Sequence, residues 1–150
     1  MSNLKIYPPN KNLKDVIDAP GGKLMSDLVK KADEQLADHR PQAVRQIVRK
    51  IALLESSLPQ LGAGGLDFEK LHRVANEIYG EAGTFDLKDI SRVAYNLCGV
   101  VAAHEEDLSA ARKPIIAHVM ALGLLAQNDC DTPAHVRTEV FEMLAIKDAA

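Results

Sequence analysis

Apolar residues along most of this chain recur at the three- and four-residue spacing of an amphipathic helix. A first stripe begins near Lys23, and a second opens at Pro41, because a first helical turn tolerates proline. We therefore predict two helices before the glycine-containing break at 59–65. The first stripe comprises Met25, Leu28, Val29, Ala32 and Leu36, and the second comprises Val44, Ile47, Val48, Ile51, Leu54 and Leu58.

The same spacing predicts four further helices. The third ends at Gly83, and Asp86 is the predicted N-cap of the fourth. The stretch from Pro114 to Ala126 is apolar almost all round, which predicts a buried fifth helix. Thr132 and Pro133 open the sixth. The third and fourth helices have apolar faces of Phe68, Leu71, Ala75, Ile78 and Ala82, and of Leu87, Ile90, Ala94, Leu97 and Val101.

The fold class predicted from this pattern is all-α. No stretch alternates like a strand between hairpin turns, and no internal repeat is present. About six helices joined by short loops favour an antiparallel, up-and-down bundle. The polar residues before Lys23 include Pro8-Pro9 and Pro20-Gly21-Gly22, so we predict an extended or mobile leader over 1–22 and a helical domain over 23–150.

Composition narrows the class of protein. The 150 residues suit one domain, and a net charge of -3 gives no case for a nucleic-acid partner. Cys98 and Cys130 are too few for a disulfide framework, so we predict reduced thiols in a cytoplasmic protein. No segment approaches the roughly 18 uninterrupted apolar residues of a membrane span, and we expect no membrane partner.

Signatures of a self-contained enzyme are missing from the sequence. The glycines at 62–65 are not followed by the Lys-Ser/Thr of a phosphate loop. His104 and Glu105 begin like a zinc-protease helix, but Leu108 stands where the second histidine is needed. We therefore expect no catalytic residues, no metal site and no cofactor.

One segment carries a signature. Residues 75–86 are Ala-Asn-Glu-Ile-Tyr-Gly-Glu-Ala-Gly-Thr-Phe-Asp. This stretch resembles the histidine-containing phosphotransfer (HPt) domain of bacterial phosphorelays. The motif of that family runs Ala-His-x-Leu/Ile-Lys-Gly-x-Ala/Ser-x-x-Phe-Gly and is followed by a helix with Leu-x-x-x-Ala-x-x-Leu. The matching positions are Ala75, Ile78, Gly80, Ala82, Gly83, Thr84 and Phe85, then Leu87, Ile90, Ala94, Leu97 and Cys98. Elsewhere only the helical layout agrees.

The resemblance implies a four-helix bundle whose second helix presents a phosphoacceptor histidine to a receiver domain. Here Asn76 stands at the position of that histidine, and an amide nitrogen does not accept a phosphoryl group. Tyr79 replaces the usual lysine, and Asp86 replaces the final glycine. Glu77 and Glu81 flank position 76, which discourages the approach of an acidic phosphoaspartate pocket. We predict that the bundle survives and that phosphotransfer at position 76 does not.

Four of the residues predicted to bind a partner lie on one polar stripe of the third helix, about 100° from its apolar face. They are His72, Asn76, Tyr79 and Gly83. His72 precedes Asn76 by one turn, which makes its imidazole the alternative phosphoacceptor. Tyr79 is either an interface anchor or a tyrosine lying over the rim of the bundle. The glycines at 80 and 83 either leave room for a partner or mark the end of the helix. The predicted partner-binding residues are His72, Asn76, Tyr79, Gly80 and Gly83.

Three functions are open at this point. The leading hypothesis is a pseudo-HPt binding module that docks on a receiver or histidine-kinase domain without phosphotransfer at position 76. The second is an active phosphocarrier that uses His72. The third is an unrelated helical interaction or structural protein. Dimerisation of the chain through its fifth and sixth helices stays an open alternative.

Overall fold

The computed structural model describes residues 25–61 and 67–146, and all regular structure in these ranges is helical. The prediction of an all-α fold is confirmed for them, whereas the predicted leader over 1–22 lies outside the described residues. The chain divides into two compact units, Met1–Leu36 and Ala37–Ala150. The described helices are α1 (Met25–Ser57), α2 (Phe68–Thr84), α3 (Lys88–Ala102), α4 (Arg112–Leu125), α5 (Gln127–Cys130) and α6 (Ala134–Met143).

The two helices predicted on either side of Pro41 are one continuous helix, α1, so the predicted break is wrong. Proline lacks the N–H that would bond the carbonyl of Ala37, and this usually bends or ends a helix. Every side chain from Met25 to Gln42 is exposed, however. Water can therefore satisfy the carbonyl that the proline leaves unbonded, and the helix continues.

The core lies between the apolar faces of α1, α2, α3, α4 and α6. In α1 the core begins at Val44, because the apolar residues of the first predicted stripe, from Met25 to Leu36, are exposed. Burial of α4 is one-sided: Met120 and Leu124 are 56% and 40% exposed, so the prediction of a helix buried all round is wrong for that face. The largest fully buried side chains include Ile47, Ile51, Leu54, Leu71, Ile78, Leu97, Ile115, Leu122 and Leu125.

Within the Ala37–Ala150 unit, helices that follow one another in the sequence pack against each other. Helix α2 packs on α3, and α3 packs on α4. Helix α1 also contacts α4, because the Glu55 carboxylate of α1 lies directly over Gly123 of α4. The Arg112 guanidinium, at the start of α4, donates to the carbonyl of Leu61 just after α1, at 2.6 Å. The later contact in α1 is thus made with the earlier residue of α4, which means that the two helices are antiparallel.

Helix α6 packs on α4 and also makes two side-chain contacts with α3. The Arg92 guanidinium of α3 lies 5.2 Å from the centre of the Phe141 ring, a cation–π distance. One turn earlier on α3, Asp89 pairs with Arg137 of α6 at 3.6 Å. These two contacts hold α6 beside α3.

The turn between α2 and α3 has the hydrogen bonds of a Schellman motif. The Leu87 N–H donates to the carbonyl of Ala82 at 2.8 Å, and the Asp86 N–H donates to that of Gly83 at 3.4 Å. Asp86 has a φ of 59°, the left-handed position of this motif. It therefore ends α2, and the prediction that it caps α3 is wrong, since the N-cap of α3 is Leu87.

We predict that replacing Asp86 with glycine stabilises the protein. Glycine adopts a positive φ without the steric cost of a Cβ, so the free energy of unfolding should rise by roughly 0.5–1 kcal/mol. Valine, whose branched Cβ fits this region worst, should lower it by about 1 kcal/mol or more. Denaturant unfolding measures both.

Lys88→Ala is the matched control, because it removes the exposed ion pair between Lys88 and Asp86 without altering the backbone. It should change the stability by less than about 0.5 kcal/mol. Equal stabilities for Asp86→Gly and Asp86→Val would contradict the left-handed assignment.

Candidate functional site

Helix α2 presents the predicted partner-binding stripe to solvent. Asp67 caps its N-terminus by accepting a 2.8 Å hydrogen bond from the Lys70 N–H. One face of the helix is buried, through Leu71, Val74, Ala75, Ile78 and Ala82. The stripe lies about 100° around the helix from that face. Of the predicted partner-binding residues, Asn76, Tyr79, Gly80 and Gly83 are exposed, and His72 is half-buried.

The imidazole of His72 is stacked on the ring of Phe68. The two ring centres are 5.4 Å apart and the planes differ by 20°. Phe68 itself packs against the core. One face of the imidazole is therefore covered, and the side chain lies along α2 instead of standing free of it.

Glu77 and Glu81 share a cation from α1. The Nζ of Lys50 lies 3.0 Å from Oε2 of Glu77 and also contacts Oε1 of Glu81. Burial disfavours the charged amine, but the hydrogen bonds and charges of Glu81 and Glu77 outweigh it and raise the pKa of Lys50. The ammonium offsets part of the negative charge that was expected to repel an acidic partner. Sequence reasoning missed Lys50, because this contact joins residues 31 positions apart.

A shallow groove of about 340 Å³ lies between α2 and α3, next to the stripe. The rings of Tyr79 and Tyr95 meet across it at 5.5 Å, tilted by 48°. The Ser91 hydroxyl donates to the carbonyl of Tyr79 at 3.1 Å and ties the two helices together. The groove is lined by Tyr79, Gly83, Lys88, Ser91, Arg92 and Tyr95.

The sequence analysis predicted only the α2 side of this groove. Tyr79 and Gly83 were among the predicted residues, but the α3 wall was not. The signal was present: Lys88, Arg92 and Tyr95 follow the helical i, i+4, i+7 spacing on α3. They contribute two cations and a second phenol to the groove beside the predicted stripe.

The two glycines among the predicted partner-binding residues have different surroundings. A Cβ added to Gly83 would lie 3.4 Å from the Ser91 hydroxyl, which is ordinary contact at the place where α2 and α3 approach. A Cβ added to Gly80 would meet nothing within 4 Å. Within 25–61 and 67–146, no packing requires a glycine at position 80, so these residues leave the surface there open to a partner.

The described ranges contain few other candidate reactive or metal-binding groups. Burial raises the pKa of the Cys98 and Cys130 thiols, which keeps them protonated and weakly nucleophilic. His118 is buried, with Nδ1 2.7 Å from the carbonyl of Pro114. Among the described residues, no group of three or more His, Cys, Asp and Glu side chains is placed to hold a metal ion. None of the described helices has the length and apolar character needed to cross a membrane.

Comparison with known proteins finds no counterpart for this chain: no family model, no curated protein and no solved structure matches it. The candidate site is therefore defined by the geometry of the chain itself. That geometry consists of the exposed stripe on α2, the Lys50 bridge on one side of it, and the tyrosine-lined groove on the other.

We predict that Lys50→Met lowers the melting temperature at neutral pH, by the equivalent of about 1 kcal/mol. The substitution keeps the alkyl stem but removes the cation from Glu77 and Glu81. Because the folded-state pKa of Lys50 is raised, its contribution is fully present below the ordinary value of 10.5 and is lost as the pH rises through the higher folded value. The difference between wild type and variant should therefore shrink above pH 10.5.

Lys88→Met is the matched control, because the ion pair of Lys88 with Asp86 is exposed at both ends. It should change the melting temperature little at any pH. A difference between wild type and Lys50→Met that persists at strongly alkaline pH would show that the stem, and not the charge, is responsible.

We also predict that Gly80→Ala stabilises the isolated protein by up to about 1 kcal/mol, because glycine is a poor helix former and the added methyl has free space. Gly83→Ala should gain less, since its methyl touches Ser91. Thermal unfolding of the two variants tests this. A fall in melting temperature for Gly80→Ala would mean that the surface at position 80 is already occupied within the protein.

Proposed function

We propose that this chain is a non-catalytic, HPt-like module that docks on a receiver or histidine-kinase domain through the exposed face of α2. The observation that carries the proposal is the environment of position 76. Asn76 is exposed on the solvent side of α2, where the HPt motif has its acceptor, and the open surface of Gly80 follows one turn later. An exposed face is present at this position, and an amide stands where the motif has its nucleophile.

The turn after α2 supports the residue-by-residue alignment with the HPt motif. The motif has glycine at the position of Asp86, and Asp86 adopts the positive φ that favours glycine. The motif glycine would therefore fit the backbone that this chain has at position 86.

The helix contacts support an antiparallel four-helix bundle built from α1 after Leu36, α2, α3 and α4. Arg40 of α1 donates to the carbonyl of Phe85 at the end of α2, at 3.3 Å, and Lys50 joins the middle of both helices. Helix α2 also packs on α3, α3 packs on α4, and Glu55 of α1 lies over Gly123 of α4, as a ring of four helices requires. In this arrangement α6 is an addition on the outside.

The chemistry of the site favours docking over phosphotransfer. The amide nitrogen of Asn76 has its lone pair delocalised into the carbonyl, so it cannot attack an aspartyl phosphate. His72 is one turn away, but its ring is stacked on Phe68. Tyr79 and Tyr95 offer aromatic surface to a partner, which is typical of interface anchors. Lys50 reduces the repulsion of an acidic partner by Glu77 and Glu81.

The binding test uses the full chain and a panel of receiver and histidine-kinase domains, measured by surface plasmon resonance. We expect at least one domain to bind. Gly80→Arg, which fills the open surface, should weaken that binding about tenfold or more. Met120→Arg is the matched control, because Met120 is exposed on α4, away from the stripe. Equal binding by the two variants would place the interface elsewhere, and binding to no domain would favour an unrelated helical protein.

A labelling test addresses phosphotransfer. Wild-type protein incubated with phosphorylated receivers should stay unlabelled. The double variant Asn76→His/Tyr79→Lys restores both motif residues and should gain an acid-labile label, as the phosphoryl group moves from the receiver aspartate to the new imidazole and leaves a free carboxylate. Label on wild type that persists in Asn76→Ala and vanishes in His72→Ala would establish a phosphocarrier and overturn the proposal.

A further inference from the structure

The two exposed edges of α2 differ in charge. Glu77 and Tyr79 stand on either side of the buried Ile78, so they lie on opposite edges of the helix. The carboxylates of Glu77 and Glu81 are on the α1 edge, where they contact Lys50. The other edge borders the groove between α2 and α3. Among the described residues, none that lines this groove is acidic, whereas two carry positive charge.

Lys88 supplies an accessible cation to the groove. Its side chain is 83% exposed, and the Asp86 carboxylate, 3.3 Å away, belongs to a side chain that is 79% exposed. An ion pair between such exposed groups contributes little to stability, because water solvates both charges. A carboxylate from a partner can therefore replace Asp86 beside Lys88 at little cost.

Arg92 and two tyrosines complete the binding surface. Arg92 follows Lys88 by one helical turn and lies 5.2 Å from the centre of the Phe141 ring. This contact leaves the guanidinium charged, and its five N–H donors can serve more than one partner. Tyr79 and Tyr95 are 41% and 62% exposed, and their rings lie beside these cations. Tyrosine and arginine are among the residues that most often anchor protein interfaces.

We propose that the groove between α2 and α3 binds a short acidic segment of a partner protein, with carboxylates against Lys88 and Arg92 and an apolar side chain against the two tyrosine rings. The inference rests on the proposed function for the class of partner, a receiver or histidine-kinase domain, and adds the chemistry of the surface that this partner presents. The Cβ atoms of Lys88 and Arg92 are about 5–6 Å apart. Alternate side chains of an extended segment are about 6.6 Å apart on one face, so carboxylates at i and i+2 match the two cations.

Size and charge favour this occupant over a helix or a nucleic acid. The groove of about 340 Å³ has room for a few side chains, whereas a helix with its side chains is about 10–12 Å across. The net charge of -3 on the chain opposes the approach of a long polyanion. A short acidic segment meets mainly the positive field of the groove itself.

The test is fluorescence anisotropy with the full chain. The probe is a fluorescein-labelled peptide with the core Glu-Ser-Glu-Ser-Phe, compared with its Gln-Ser-Gln-Ser-Phe counterpart. The acidic peptide should bind about fivefold more tightly at low salt, and the difference should shrink at high salt, because salt screens exposed charges. Lys88→Glu should remove the difference. Lys113→Glu is the matched control, because it makes the same charge change at an exposed position of α4 and should preserve the difference.

The aromatic contact has its own pair of variants. Tyr95→Ala removes one ring and should weaken the binding of both peptides about fivefold or more, since an aromatic anchor is lost. Tyr95→Phe keeps the ring and should bind as wild type does. Equal binding by Tyr95→Ala and Tyr95→Phe would contradict the assigned contact.

Three further results would overturn the proposal: equal affinity of wild type for the two peptides, equal loss in Lys88→Glu and Lys113→Glu, or displacement of the probe by a ten-nucleotide oligothymidylate at a lower concentration than by unlabelled acidic peptide. The last would identify nucleic acid as the occupant. The panel of receiver and kinase domains separates this inference from the proposed function. A domain that binds wild type and Lys88→Glu equally overturns the inference alone. Acidic-peptide binding that depends on Lys88, with no domain bound, supports the groove and overturns the proposed function.

Discussion

Leu71, Ala75, Ile78 and Ala82 have no exposed surface, and their burial fixes the rotation of α2 about its own axis. When one face of a helix is packed against the core, the residues that the helix exposes to solvent are fixed as well. The positions of Asn76, Tyr79 and Gly80 thus follow from apolar side chains one or two residues away. On the exposed side of the contact between α2 and α3, Tyr79 and Tyr95 form the groove.

Two features then set the character of the exposed face. Asp86, with its left-handed backbone, ends α2. The turn is very short, so α3 begins close to α2 and the two walls of the groove lie next to each other. Lys50 joins α1 to α2 and balances part of the charge of Glu77 and Glu81. The face is consequently less acidic than a count of α2 residues alone suggests, and it combines aromatic, polar and open backbone surface.

Periodicity predicted α2, α3, α4 and α6 well, because each has a regular apolar face that a buried core requires. It failed at Pro41, since the cost of a proline depends on whether water can reach the unbonded carbonyl, and burial is a property of the fold. Asp86 was misassigned because aspartate suits both an N-cap and a left-handed residue. The Lys50 bridge and the α3 wall join residues far apart in sequence, so no local pattern contained them.

The ion pairs of Lys50 also govern its reactivity. Acylating reagents and acetyl donors are attacked by a neutral amine, and the raised pKa of Lys50 makes that form scarce at physiological pH. Its half-buried Nζ is further shielded by the carboxylates that hold it. Amine-directed labels should therefore collect on exposed lysines such as Lys88 and pass over Lys50. The protein can carry such labels while the junction of α1 and α2 stays chemically intact.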